Sequence, residues 1–156
     1  MNTPNLLDAI RVVKENERIA SEKYANAAQI LAKVGKELFM QLSEFEKYHY
    51  ERITALEKSL MEKGDYINYE GKEFPLPPIF EIKAAEEPNK KSIMQVITEA
   101  LELEKQAEKA YADLAAQITD EQGHKMFIKL SEEEHNHFRI LTKAYWSLND
   151  TGVWKW

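Results

Sequence analysis

Apolar residues recur at alternating steps of three and four along four long stretches of the chain, residues 3–33, 36–63, 92–118 and 121–147. This spacing puts apolar side chains on one face of a helix and predicts four amphipathic helices. Helix breakers separate them: Gly35 marks the first turn, Gly64 ends the second helix, and Thr119-Asp120 forms the last turn. Residues 64–89 lose the helical period and contain four of the five prolines, so they are predicted to be a crossover that runs lengthwise between the second and third helices.

The two halves of the chain repeat each other. The segment 42–49 aligns with the segment 130–137 at an offset of 88 residues, and both contain Glu-x-x-His. Upstream, Glu17 and Tyr24 align with Glu104 and Tyr111 at an offset of 87 residues. Two related helical hairpins explain this repeat most economically. We therefore predict a single all-α domain over residues 1–156, a four-helix bundle made of two hairpins.

Polar residues interrupt the apolar stripes at six positions, and the repeat relates these positions to one another. They are Glu17, Glu46, His49, Glu104, Glu134 and His137. In each antiparallel hairpin, the glutamate of one helix and the Glu-x-x-His pair of the other lie equally far from the turn. All six side chains are therefore predicted to meet at one level inside the bundle.

Four buried carboxylates at one level need a compensating charge. A single glutamate on such a stripe usually reaches the rim, and a single buried histidine is usually only hydrogen-bonded. Four carboxylates together would repel one another and lose hydration, and no Arg or Lys lies on the stripes. Two divalent cations would neutralise them, and oxygen ligands with imidazole suit iron or manganese. One Glu from each of two helices with Glu-x-x-His from the other two is the arrangement of carboxylate-bridged dimetal proteins.

At these residues the sequence resembles the ferritin-like superfamily, and within it the diiron domain of the rubrerythrins. The resemblance implies a ferritin-like bundle with two iron ions, for which manganese or a mixed pair is the alternative. It implies that the six residues are metal ligands, with Glu46 and Glu134 bridging. It also makes Tyr24 and Tyr111 candidate catalytic residues that donate hydrogen bonds to ligating carboxylates across the bundle; ordinary aromatic core is the alternative for both.

The activity implied by the resemblance is reduction of hydrogen peroxide or O2. The chain has no cysteine, and therefore lacks the rubredoxin module of rubrerythrins, so electrons are expected from an external, rubredoxin-like donor. Ala107 stands where rubrerythrins carry an additional glutamate, which brings the site closer to a bacterioferritin ferroxidase centre. A ferroxidase or iron-handling protein, and a non-enzymatic scaffold stabilised by metal, are the alternatives. A homodimer is expected.

Composition excludes other classes of partner. The formal net charge of −6 argues against a nucleic-acid-binding protein, which would carry a basic patch. No apolar stretch is long enough to cross a membrane, and residues 1–6 lack the features of a signal peptide, so a cytoplasmic location is expected.

The fourth helix offers a second match to the motif, Glu132-x-x-His135. These two residues leave the apolar stripe, whereas Glu134 and His137 continue it. We therefore predict that His135 lies on the surface, together with His124. The aromatic residues of the crossover, Tyr66, Tyr69, Phe74 and Phe80, are expected to attach it to the bundle.

Overall fold

Four helices make up the described part of the protein. A computed structural model describes residues 3–77 and 90–156, with side chains over 5–77 and 92–156. The helices are α1 (Thr3–Ile30), α2 (Lys33–Lys63), α3 (Lys90–Gln117) and α4 (Glu121–Thr151). The predicted all-α four-helix bundle is confirmed. Among the described residues, no helix combines the length and apolar character needed to span a membrane.

Two of the predicted helix ends are confirmed at their caps. Gly64 follows α2 with a left-handed φ of 73°, and its N–H donates to the carbonyls of Leu60 and Ser59. Asp120 caps α4, where its side chain accepts a hydrogen bond from the N–H of Gly123. These are the residue types that satisfy exposed backbone groups at helix ends.

The first turn was placed wrongly at Gly35. The chain reverses at Leu31 and Ala32, and Gly35 is buried in the first turn of α2. Lys33, rather than a glycine, adopts the positive φ, at 51°. Leu31 and Val34 lie on either side of the reversal, and both side chains are buried in the core. We attribute the position of the turn to this packing, which outweighs the preference of the left-handed region for glycine. At the other end of the sequence, α4 continues past the predicted residue 147 to Thr151, and Gly152 caps it with a φ of 70°.

The helices pair as two hairpins, α1 with α2 and α3 with α4, and α1 also contacts α3. Equivalent serines join the helices of each hairpin. Ser21 and Ser43 each donate to the other's backbone carbonyl, at 3.0 and 2.8 Å, and Ser131 donates to the carbonyl of Glu108 at 3.1 Å. The internal repeat seen in the sequence is therefore present in the packing.

The crossover, as far as residue 77, lies along α4. Tyr66 packs on Gly123 near the start of this helix, and the hydroxyl of Tyr69 donates to Glu133 near its middle. Beyond the end of α4, the indole of Trp156 donates to the carbonyl of Pro77 at 3.1 Å. Residues 78–89 lie outside the described residues, so the lengthwise path of the whole crossover stays a prediction.

Apolar side chains form two core clusters. One contains Leu38, Phe39, Leu42 and the fully buried Trp154 of the tail. The other contains Ile53, Leu56, Phe127, Leu130 and Tyr111. The buried charged residues are Glu17, Glu46, His49, Glu104, Glu133, Glu134 and His137. These seven side chains form the buried charged centre of the described part of the protein.

Candidate metal centre

Each of the four helices contributes to the buried polar group. Glu17 comes from α1, Glu104 from α3, and a Glu-x-x-His pair from each of α2 and α4. All six predicted side chains are at most 2% exposed. They separate into two groups whose ligand atoms lie within 4.8 Å of one another: Glu17, Glu46, His49 and Glu134, and Glu46, Glu104, Glu134 and His137. The side chains therefore converge as predicted, and each group has the composition of a metal site.

Two carboxylates belong to both groups, and their oxygen atoms divide between them. His49 Nδ1 lies 3.4 Å from Oε2 of Glu46 and 2.8 Å from Oε1 of Glu134. His137 Nδ1 lies 3.2 Å from the other oxygen of Glu46 and 4.0 Å from the other oxygen of Glu134. Each carboxylate thus presents one oxygen to each group, which is the geometry expected of bridging ligands.

Several of the inward-facing atoms lack hydrogen-bond partners. Among the described residues, these are Glu17 Oε2, Glu46 Oε2, Glu104 Oε2, Glu134 Oε1 and His49 Nδ1. His49 Nδ1 is close to Glu134 Oε1, but the two atoms are not aligned for a hydrogen bond. Buried polar atoms are almost always paired, so atoms that converge without pairing fit a cation that lies between them. The donor set, carboxylate oxygen and imidazole nitrogen, suits iron or manganese.

Tyrosines hold the two glutamates that belong to one group only. Tyr111 on α3 donates to Glu17 on α1 at 2.5 Å, and Tyr24 on α1 donates to Glu104 on α3 at 2.8 Å. In each case the accepting oxygen is Oε1, which leaves Oε2 facing the site. These are the cross-bundle hydrogen bonds predicted for the two tyrosines. Burial raises the pKa of both tyrosines well above the ordinary value, so both hydroxyls stay protonated and keep donating.

The carboxylates do not all ionise in the metal-free protein. Burial raises the pKa of Glu17 well above its ordinary value, and the neighbouring charge of Glu46 adds to this. Burial also raises the pKa of Glu134, with the charge of Glu104 as the next cause. Burial alone would raise the pKa of Glu46 as well, but the neighbouring carboxyl group of Glu17, the hydrogen bond with His137 and the nearby imidazole of His49 hold it well below its usual range. The metal-free centre therefore retains protons that a bound cation would displace.

Both histidines are charged in the metal-free centre. Burial alone would lower the pKa of His49, but its hydrogen bond to Glu133 and the nearby carboxylate of Glu134 raise it well above the ordinary value. Burial also opposes the charged form of His137, yet the nearby charge of Glu104 and the hydrogen bond to Glu46 raise its pKa to about 9. The positive charge of the two imidazolium ions thus compensates part of the negative charge of the carboxylates, as a metal ion would.

The sequence analysis missed Glu133. This carboxylate on α4 is buried, accepts from the hydroxyl of Tyr69 at 2.5 Å and from the backbone N–H of Lys72 at 2.9 Å, and lies 3.3 Å from His49 Nε2. Burial alone would raise its pKa, but the hydrogen bond from His49 and the charge of that imidazolium lower it. A signal for Glu133 existed in the repeat, because it aligns with the apolar residue Phe45 of α2, whose side chain is buried.

Cavities reach the centre from two sides. One of about 70 Å³ is lined by Glu17, Glu46, Glu104, Glu134 and the methyl group of Ala107. A larger one of about 530 Å³ lies between the crossover and α4, and of the six predicted ligands it borders only His137. Small molecules therefore have space beside the carboxylates, on the side of α1 and α3.

The two remaining histidines lie away from the centre, as predicted. His135 is 60% exposed and lies 2.9 Å from Glu108. His124 is also exposed, and its Nδ1 lies 2.7 Å from the carbonyl of Ala115. The alternative register of the motif on α4 is therefore excluded by position.

Comparison with known proteins gives no further guide to function. The chain matches no protein-family model, no curated protein and no solved structure. These comparisons therefore identify neither a family nor an activity for the chain.

We predict that divalent metal stabilises the fold. A cation that binds only the folded chain at a free concentration 100 times its Kd adds about 2.7 kcal/mol to the free energy of unfolding. Urea unfolding of the chelator-treated protein at neutral pH, with and without Mn(II) or anaerobic Fe(II), measures this. Coincident unfolding curves would contradict a metal site.

Substitution of the two neighbouring histidines of α4 tests the register. His137→Ala should remove about one bound ion per chain, since it deletes one ligand of a four-residue group. His135→Ala is the matched control, and its metal content should equal that of the unmodified protein. Elemental analysis of the purified variants measures both, and loss of metal from the His135 variant alone would show the register to be wrong.

The metal-free protein should lose stability as the pH rises. The folded-state pKa of His137 is raised from 6.5 to about 9, so its contribution is complete below pH 6.5 and disappears as the pH passes through 9. Urea midpoints of the chelator-treated protein should therefore fall between pH 7 and 10, and the fall should be smaller in His137→Ala. A midpoint that rises over this range would contradict the assignment.

Proposed function

We propose that the protein is a dimetal-carboxylate redox protein of the rubrerythrin type that reduces hydrogen peroxide, or O2, with electrons from outside this chain. The observation that carries the proposal is the sharing of Glu46 and Glu134 between two adjacent four-residue groups. A single structural cation would need only one such group. Two redox-active ions held by shared carboxylates could deliver two electrons together, which with two protons would reduce H2O2 to two H2O, or O2 to H2O2, without release of hydroxyl radical.

The residues of the chain would fix the distance between the two ions. Glu46 and Glu134 come from α2 and α4, and each presents one oxygen to each group. Tyr24 and Tyr111 act as positioning residues, because each anchors the outer oxygen of a glutamate on the opposite hairpin. The hairpins are thereby held in register at the level of the centre, so the ligand atoms need little rearrangement to accept metal.

The cavity beside Ala107 suits a small oxidant. Its volume of about 70 Å³ holds a few water-sized molecules, and it is lined by all four carboxylates of the two groups. Hydrogen peroxide and O2 are small enough for this space. The size of the cavity and the chemistry of its carboxylates thus both favour a small oxidant as the substrate.

Electrons would come from another protein. The chain contains no cysteine, so it holds no iron–sulfur cluster that could relay electrons internally. Reduction of one H2O2 to two H2O takes two electrons and two protons. Two Fe(II) ions held by the two groups would supply the electrons, and a reductant from outside the chain would be needed to restore Fe(II).

Ala107 favours a second candidate function, oxidation of Fe(II) for iron handling. Ala107 stands at the position where rubrerythrins carry an additional glutamate, so the centre has six ligands and no seventh carboxylate. The side chain of Ala107 borders the small cavity. Under this alternative, iron would leave the centre after oxidation. Retention of two ions per chain over repeated turnovers separates peroxide reduction from iron handling.

Stopped-flow mixing of anaerobic Fe(II)-loaded protein with peroxide tests the proposal. The protein should consume about one peroxide per dimetal centre, stop, and resume when a rubredoxin-like reductant is added. Ala107→Glu should raise the turnover rate, since an added carboxylate would let one ion change ligands as its charge changes. Absence of oxidation within seconds would refute peroxide reduction and leave the metal-stabilised scaffold as the better explanation.

A further inference from the structure

The two halves of the centre differ at one pair of repeat-related positions. Glu133 on α4 aligns with Phe45 on α2, at the same offset of 88 residues that relates the two Glu-x-x-His motifs. Both side chains are buried, and each packs beside a histidine of the other hairpin. The two histidines therefore have different surroundings, although the ligand sets themselves are equivalent.

His49 has a carboxylate on the ring nitrogen that faces away from the centre. Its Nε2 lies 3.3 Å from Oε1 of Glu133, and its Nδ1 faces the carboxylates. Glu133 is itself held from the crossover, by the hydroxyl of Tyr69 and the backbone N–H of Lys72. When Nε2–H donates to Glu133, the lone pair of neutral His49 lies on Nδ1, where the metal would bind.

His137 has no such partner. Its Nε2 is buried and lacks a hydrogen-bond partner among the described residues. Its ring packs on Phe45 and Phe74, with centroid distances of 4.6 and 4.8 Å. Neither aromatic ring can accept an N–H as a carboxylate does, so nothing comparable selects its tautomer or increases its basicity.

We propose that the two metal positions are unequal: the position that contains His49 binds its ion more tightly and fills first, and Glu133 is the positioning residue responsible. Carboxylates that accept from the free N–H of a ligating histidine fix its tautomer and strengthen it as a ligand, and their loss typically lowers metal affinity about 10- to 100-fold. The additional negative charge also favours a cation at this position. This inference rests on the dimetal centre proposed above.

Variants that keep one position at a time measure the two affinities separately. His137→Ala leaves the group of Glu17, Glu46, His49 and Glu134 intact, and His49→Ala leaves the other group. Calorimetric titration with Co(II) should show at least about tenfold tighter binding of one ion to the His137→Ala protein. Equal affinities would overturn the proposal.

Glu133→Gln added to each background tests the role of the carboxylate. It should weaken Co(II) binding about 10- to 100-fold in the His137→Ala background and change it less than about twofold in the His49→Ala background. Glu132→Gln, at the exposed neighbouring position, is the matched control and should change neither. Equal weakening in both backgrounds would show that Glu133 acts only by holding the crossover, and would overturn the proposal.

Electron paramagnetic resonance of the unmodified protein provides a test that needs no variant. As Mn(II) is added, the first equivalent should give the spectrum of isolated ions, and the spin-coupled spectrum should appear only with the second. A coupled signal that grows in proportion from the first addition would refute unequal positions. No bound metal in any titration would refute the dimetal centre itself, which distinguishes its failure from failure of the inequality.

Discussion

The requirement to neutralise four carboxylates inside an apolar bundle determines the arrangement of the rest of this structure. Glu17, Glu46, Glu104 and Glu134 are buried at one level, and an unpaired buried charge costs several kcal/mol. In the metal-free chain, protons on the carboxyl groups and charge on the two imidazoles reduce this cost. The described residues place no lysine or arginine in the centre, and a basic side chain there would remove the need for a cation.

Cross-bundle hydrogen bonds make the polar centre compatible with close packing. Tyr24 and Tyr111 each extend from one hairpin to a glutamate of the other, and their rings also pack against Phe39 and Phe127 of the surrounding core. Each tyrosine thus belongs both to the polar centre and to the apolar core. Because the two hydrogen bonds relate α1 to α3 reciprocally, they require these helices to run antiparallel.

Much of the fold and of the centre could be predicted because the spacing of apolar residues along the chain indicates which face of each helix is buried. The six interruptions of the apolar stripes were found in this way, and the repeat showed that they belong together. The reversal at Leu31–Ala32 could not be found by the same reasoning, because it depends on how buried side chains at the end of the bundle pack rather than on a local glycine signal. Glu133 was missed for a related reason. Its burial depends on Tyr69 and Lys72 of the crossover, a segment with no helical period to indicate where it lies.

The crossover also gives the centre two unlike sides. Along α2 and α4, Tyr69 and Phe74 lie beside the two histidines, and Phe74 packs on Phe45 as well. The duplicated hairpins would otherwise present similar faces, but the crossover donates two hydrogen bonds to Glu133 on α4, and the repeat-related residue on α2 is Phe45. Along α1 and α3, the small cavity beside Ala107 reaches all four carboxylates. An oxidant entering there would meet the carboxylate side of the centre, while the side chains that tune the histidines lie on the opposite side. Under the proposed function, the residues that border the small cavity from α1 and α3 could therefore change without altering Tyr69, Phe74 and Glu133, which lie beside the histidines.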